Sequence, residues 1–319
     1  MAVYTDVTDD ELRAFVADYD LGDVLSFQGI AEGVENSNFA VRTSRGSYIL
    51  TLYEKRVAAA DLPFFLTLME HLAARGVSCP TPLKTRSGET LRHLKGRPAA
   101  MVTFLEGLWP RRISPQHCLQ LGEALARLHR AGADFTMTRA NALSVAGWRT
   151  LLEATRAEAD AVKPGLAVAL EAEYRTLEAR WPSDLPTGVI HADLFPDNVF
   201  FLGDRLSGLI DFYFACNDAL AYDLAVLLNA WCFETDGAFN ITKGRALLGA
   251  YHRHRALCDS ELAALPVLAQ GAALRFLLTR LYDLLNHDPM ALVRPKDPRE
   301  FAKRLRFHLK VKNTSEYGF

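Results

Sequence analysis

The sequence holds no C-x-x-C pair. Its five cysteines, Cys79, Cys118, Cys216, Cys232 and Cys258, are scattered through 319 residues. An odd number at that spacing argues against a disulfide framework or a zinc site, and reads as reduced, partly buried thiols of a cytosolic chain. Net charge is scarce as well. The 36 Lys+Arg residues against 38 Asp+Glu leave −2, which offers no electrostatic footprint for nucleic acid. No apolar run approaches the ~18 consecutive residues needed to span a bilayer. The N-terminus, M-A-V-Y-T-D-V-T-D-D-E-L, lacks the basic and apolar regions of a secretory leader. There is no internal repeat and no low-complexity tract. These absences predict a cytoplasmic globular protein with neither a membrane nor a nucleic-acid partner. Half of the residues are hydrophobic, and the length suggests about two domains or lobes.

The first hundred residues look strand-rich. "SNFAVRTSRGSYILTLYE" (37–54) contains two β-branched and aromatic runs joined at Ser44-Arg45-Gly46, which predicts a hairpin. In "DLPFFLTLMEHLAARG", Leu62, Phe65, Leu66, Met69, Leu72 and Ala73 recur at helical spacing. Asp61 is placed to cap that helix and Gly76 to end it. Pro80 and Pro82 keep it from resuming. A turn at Ser87-Gly88 leads to an apolar strand, "AAMVTFLEG" (99–107). The composition then changes. Ser114 and Pro115 open a helix, and further helical patterns cover 148–181, 219–235, 242–256, 260–287 and 298–310. One β-rich island, 188–214, interrupts them. The expected layout is an α+β fold of two lobes: residues 1–104 as a small antiparallel-sheet lobe, 105–319 as a larger, mainly helical one, with a connector near 103–107.

The β-rich island carries the chemistry. His191-x-Asp193-x-x-x-x-Asn198 is followed by Asp211-Phe212. His-x-Asp alone reads as an ordinary turn. The full set supplies what phosphoryl transfer needs: a carboxylate to take a hydroxyl proton (Asp193) and hard oxygens for Mg²⁺ (Asn198 and Asp211). Pro196 shapes a tight turn, and "VFFLGDRLSGLI" reads as a hairpin around Gly203-Asp204 that returns Asp211 to the level of the loop. His191 is read as a structural group that holds the loop by hydrogen bonds. Asp197 is read as a turn residue.

This set resembles the catalytic loop and metal-binding aspartate of the protein-kinase-like superfamily. "LGEALARLHRAG" and "AYDLAVLLNAW" resemble helices of its aminoglycoside phosphotransferase and choline kinase branch. "VIHADLFPDNVFF", "GLIDFYFACNDALAYDLAVLLNAWCFE" and "DLPFFLTLMEHLAARGVSCPTPL" are more similar still to the bacterial homoserine kinases of that branch. The resemblance runs from about residue 26 to about 310. It implies a bilobal kinase-like fold using ATP and Mg²⁺, with Asp193 as base, Asn198 and Asp211 on the metal, and Asp223, in "YDLA", as a structural acceptor bracing the loop rather than a reactant. The acceptor it implies is the hydroxyl of an amino acid, L-homoserine, in threonine biosynthesis. Ser37 and Asn38 would lie at the phosphate-covering turn, and Thr103 and Leu105 would offer backbone groups to adenine. The branch carries Lys or Arg where this chain has Thr51. Phe65 stands where that cation's Glu partner is expected, with Glu70 nearby on another register, and Ala192 where Gly is common. The cation facing the α- and β-phosphates is left open among Arg42, Lys55 and Arg56.

A homoserine pocket needs acceptors for an ammonium, donors for a carboxylate, and little volume. Candidates are Asp218, Glu234, Asp236, Tyr213, Asn217, Asn229 and Trp231, with Arg275 and Arg280 as carboxylate forks. Two alternatives stand beside this reading. One is another alcohol acceptor of the same branch, such as an aminoglycoside, choline or a sugar. The other is a nucleotide-binding pseudokinase, suggested by Thr51.

Overall fold

The structure is a computed structural model in which residues 5–30, 36–54, 57–287 and 294–319 are described. Alternating apolar residues build its first sheet. β1 (Val24–Gly29), β2 (Ser37–Thr43), β3 (Gly46–Leu52), β4 (Arg92–Leu94) and β5 (Arg97–Thr103) pair in the order β1-β2-β3-β5-β4. All of the pairs are antiparallel. The expected hairpin is present, with Thr43 opposite Gly46 and Asn38 opposite Thr51. Phe39 and Val41 share one face with Leu50, Leu52, Ala99 and Met101, packed with α1 (Asp9–Val16). By alternation, Asn38, Ala40 and Arg42 occupy the other face of β2. The strand expected to reach 107 ends at Thr103.

α2 (Leu62–Ala74) follows, with Asp61 at its N-cap position. Asp61 makes no capping bond; its carboxylate instead takes the Arg139 Nε–H at 2.7 Å. α3 (Pro115–Ala131) opens as expected, with the Ser114 hydroxyl accepting the His117 N–H. The pattern across 148–181 resolves into α4 (Val145–Thr155), α5 (Ala159–Val162) and α6 (Leu166–Arg180). Gly165, at φ 76°, turns the chain into the last of these. The β-rich island forms two ribbons. β6 (Thr187–Ile190) pairs with β9 (Cys216–Ala219), and β7 (Val199–Leu202) with β8 (Arg205–Leu209). α7 (Leu220–Trp231), α8 (Ile241–His254), α9 (Asp259–Leu285) and α10 (Arg299–His308) complete the larger lobe. α8 lies tightly on α3 because Gly122 has no side chain: a Cβ there would meet the Leu247 carbonyl oxygen at 2.3 Å.

α9 is long and apolar enough to cross a membrane by length and composition, but 78% of its apolar window is buried inside the protein. It is the central core helix. α2, Tyr53 and Ala100 belong to the same apolar cluster as α7 and α9, so the principal core continues under the sheet rather than stopping at the connector. All five cysteines are free thiols, and only Cys258 is exposed.

The C-terminal segment is fastened by a buried polar cluster. His308 sits between the Tyr317 hydroxyl (2.8 Å) and Asn229 Oδ1 (3.2 Å). Burial, with Arg304 second, pushes its imidazole down to about 3. A folded value below the unfolded ~6.5 means that the unfolded chain binds the extra proton. The stability this gives is complete above about pH 6.5 and is lost as the pH falls towards 3. Urea titrations at about pH 7 and about pH 4.5 should therefore show a loss that includes roughly 2–3 kcal/mol from this group. H308Q should show a smaller acid loss. An unchanged acid loss in H308Q would place that titration elsewhere.

Candidate active site

The loop between β6 and β7 is held almost peptide by peptide. The Asp223 carboxylate, on α7, accepts the His191 and Ala192 N–H groups, each at 2.7 Å. It also contacts His129 Nε2 of α3 at 3.1 Å, and His129 Nδ1 lies 2.7 Å from the Tyr251 hydroxyl of α8. A carboxylate only accepts, so Nε2 of His129 carries a proton towards Asp223. Burial by itself would raise the Asp223 carboxyl. The His129 contact and the loop N–H groups outweigh it and hold the carboxyl below its usual range.

Three carbonyls are held in turn. Ala192 O accepts from Arg275 Nη1 (2.5 Å), Asp193 O from Asn198 Nδ2 (2.8 Å), and Leu194 O from Trp231 Nε1 (2.8 Å). His191 is fully buried. Burial pushes its imidazole down to about 4, against the pull of Asp223. The neutral ring takes the Asp193 N–H on Nδ1 (3.3 Å) and donates from Nε2 to Ile210 O (3.0 Å). Its ring meets Phe212 at a tilt of 52°, with centroids 4.6 Å apart.

Asp193, Asn198 and Asp211 are brought together by these contacts. The Asn198 amide nitrogen also lies 3.3 Å from Asp193 Oδ2, which turns the amide oxygen the other way. The Asn198 carbonyl accepts the Ile210 N–H at 3.0 Å, setting Asp211 beside it. The hairpin that returns Asp211 pairs Val199 with Leu209 and Leu202 with Arg205, with a register shift between Phe200 and Phe201. Among the described residues, the non-glycine positions with positive φ are Lys95, Ala192 and Asp211. Two of these three are in this site, and each left-handed residue stores on the order of 1–3 kcal/mol. The oxygen set consists of an amide and carboxylates. Among the described residues no three His, Cys, Asp or Glu side chains cluster as metal ligands. A softer metal is therefore a poor fit. Mg²⁺ fits, because it takes one or two protein oxygens and leaves the rest to phosphate and water.

The other sequence candidates fall into three groups. At the sheet, the buried Ser37 hydroxyl donates to Glu54 Oε1 (2.8 Å), and Asn38 Oδ1 accepts the Thr51 hydroxyl (2.8 Å). Ser37 is the first residue of β2 rather than part of a turn. Thr51 thus closes the place of the missing cation with a neutral hydrogen bond. Phe65 and Tyr53 both meet the Tyr213 ring edge-on (5.7 and 5.3 Å), and the two tyrosine hydroxyls lie 3.2 Å apart. Burial pushes the Tyr213 phenol up to about 12, so this cluster is uncharged. Arg42 lines a shallow cavity with Ser26, Gln28, Ser47 and Phe104. It sits four residues along β2 from Asn38, about 13 Å at ~3.3 Å per residue. Lys55 and Arg56 lie outside the described residues.

At the connector, Thr103 exchanges hydrogen bonds with Thr81: its N–H donates to Thr81 O and its hydroxyl accepts the Thr81 N–H. Leu105 packs where a Cβ on Gly208 would be only 2.6 Å away.

Of the acceptor candidates, Asn217 and Asp218 lie on β9. Asn217 accepts the Arg139 N–H (2.9 Å), and Asp218 accepts the Asn141 side-chain amide (2.7 Å). The other candidates are engaged elsewhere. Trp231 is fully buried and holds Leu194. Asn229 is buried with His308, and Arg275 with Ala192. Glu234 pairs with Lys243 (2.6 Å) and Asn240, Asp236 closes its own turn, and Arg280 pairs with Glu300. Sequence reasoning missed His129, Tyr251 and Arg139. The "LHR" of α3 was visible but carried no hint that its histidine meets Asp223.

A strained loop with a carboxylate, an amide and a second carboxylate, under an antiparallel sheet, defines a protein-kinase-like phosphotransferase. Residues 26–257 match the phosphotransferase enzyme family, and the chain belongs to it. A homoserine kinase of Afipia carboxidovorans is 65% identical over 318 residues, covering 100% of this chain and 98% of that one. One of Xanthobacter autotrophicus is 66% identical, covering 100% and 99%. Among solved structures, an amicoumacin kinase in complex with AMP-PNP, Ca²⁺ and Ami superposes with a TM-score of 0.70 at 15% identity, covering 96% of this chain and 93% of that one.

The brace can be tested by removing its centre. D223A leaves two buried N–H groups and His129 without their acceptor. Chemical denaturation should register a loss of about 3–5 kcal/mol. A loss under about 1 kcal/mol would mean that the loop is held by other contacts.

Proposed function

We propose that the protein transfers the γ-phosphoryl group of ATP to the hydroxyl of L-homoserine, giving O-phospho-L-homoserine for threonine biosynthesis. The observation that carries this reading is the set of full-length relatives at 63–66% identity that bear the name homoserine kinase. The contact of Asn198 with Asp193, beside the returning Asp211, supplies the matching chemistry.

Asp193 positions the acceptor hydroxyl and takes its proton as the phosphoryl group arrives. Asn198, through its amide oxygen, and Asp211 would hold Mg²⁺, which neutralises phosphate charge when bound. His191 and Asp223 fix the loop. ATP lies along the sheet face that carries Asn38 and Thr51, with the connector at its base end, so 1–104 covers the nucleotide and 105–319 carries the catalytic groups. Ser37 and Thr51 shape that face, since their hydroxyls are engaged by Glu54 and Asn38. Thr103 and Leu105 serve through backbone carbonyls. The Thr103 N–H is already bonded to Thr81. Asn217 and Asp218 are the acceptor-side polar groups this reading retains, with Tyr213 as a wall. The partners are thus a nucleotide and an amino acid, and the reaction is placed in the cytoplasm.

The test is ADP release with Mg²⁺-ATP across homoserine, serine, threonine, choline and kanamycin. Homoserine should give the response. If kanamycin or choline alone responds, the acceptor assignment is wrong. In D193N, turnover should fall ~10²–10⁴-fold with ATP affinity nearly unchanged. Wild-type turnover in D193N would remove Asp193 from the role of base.

A further inference from the structure

Arg275 lies in the middle of the most apolar helix of the protein, α9, and is 1% exposed. A buried guanidinium is costly by several kcal/mol unless its charge and donors are matched. Sequence reasoning assigns it to an acceptor carboxylate. The structure gives it other work. Nη1 donates to the Ala192 carbonyl at 2.5 Å, and Nη2 lies 4.0 Å from Asp193 Oδ1. The guanidinium stacks over Phe276 at 4.4 Å, with the Phe214 ring at 5.7 Å. Its field reaches His191, Cys216 and Tyr222, where Asp218 and Asp223 also act.

Ala192 is a left-handed alanine, at φ 64°. An L-residue with a Cβ resists that conformation by roughly 1–2 kcal/mol. Its N–H is gripped by Asp223 and its C=O by Arg275, from two different helices. The next residue is Asp193. A rotation at Ala192 would swing that carboxylate.

We infer that Arg275 is a positioning residue for phosphoryl transfer: one arm of its fork locks the strained Ala192 peptide while the other faces the Asp193 carboxylate, setting its direction towards the acceptor hydroxyl. The inference rests on the reading of Asp193 as the base. A fork is required because two separate groups are addressed. Lysine offers one compact charge on a flexible stem and cannot span both.

The experiment is steady-state kinetics of R275K with homoserine and Mg²⁺-ATP, alone and combined with D193N. A misplaced base costs up to about 10²-fold. R275K should therefore lower kcat by about 10–100-fold while both KM values stay within about threefold. In the D193N background there is no base left to aim, so R275K should change kcat by less than about threefold. Wild-type kcat in R275K, or losses that simply multiply in the double variant, would overturn the inference, because a purely structural arginine behaves that way. Should R275K fail to fold, as judged by nucleotide binding, R275Q retains one donor for Ala192 and is read identically. A wild-type enzyme inert towards homoserine but active on another alcohol would sink the acceptor assignment alone, and the same variants would then be read with that alcohol.

Discussion

The buried carboxylate of Asp223 is the contact on which the geometry of the site depends. An ion taken out of water is costly, and the cost is offset only when good partners meet its oxygens. Here they are two consecutive loop N–H groups and His129. Those N–H groups belong to His191 and Ala192, the residues just before Asp193. Fixing them fixes the direction in which the chain leaves β6. The carbonyls that follow are then taken by Arg275, Asn198 and Trp231. A loop with so many prescribed peptides has little freedom left, so the strain at Ala192 is maintained rather than relaxed.

The braces come from four helices that share one apolar core. His129 is on α3, Asp223 and Trp231 are on α7, Tyr251 is on α8 and Arg275 is on α9. This explains why a polar network can survive at the centre of the larger lobe: each polar tip is delivered by a helix whose apolar face is buried against its neighbours. The sheet side follows a different rule. Where the branch resembled by the sequence carries a cation, Thr51 bonds Asn38, and the tyrosines at 53 and 213 meet beside Phe65. The place is filled without charge, because Phe65 packs on Tyr213 and Glu70 pairs with Lys84 instead. The same substitution that suggests a pseudokinase is therefore locally self-consistent and leaves the carboxylates of the larger lobe undisturbed.

What the sequence made legible follows from these two rules. The chain from His191 to Asp211 was readable because chemistry demands particular residue types at short separations, and a hairpin of known length closes the gap. The hairpin at Ser44–Gly46 and the start of α3 were readable because turn and cap residues act locally. The short elements α1, β1 and β4 were missed: eight, six and three residues give little periodicity. Trp231, Asn229 and Arg275 were read as acceptor-pocket residues. A polar side chain in an apolar helix carries the same signature whether it meets a ligand or a backbone carbonyl, and only the packing of distant segments decides between them. Trp231 reaches back 37 residues to Leu194, and Arg275 reaches 83 to Ala192.

α9 shows how strongly the site constrains the core. Gly271 admits the Trp181 ring so closely that a Cβ would stand 2.2 Å from it. Four residues later, about one helical turn, Arg275 meets Ala192 in the loop between β6 and β7. The two positions lie on nearly the same face, so the close seating of Trp181 and the reach of the guanidinium are demands on one stretch of helix. A side chain at 271 would meet the Trp181 and Trp148 rings. The apolar composition of α9, unusual enough to resemble a membrane span, is what allows the helix to run through the middle of the lobe and to carry Arg275 there.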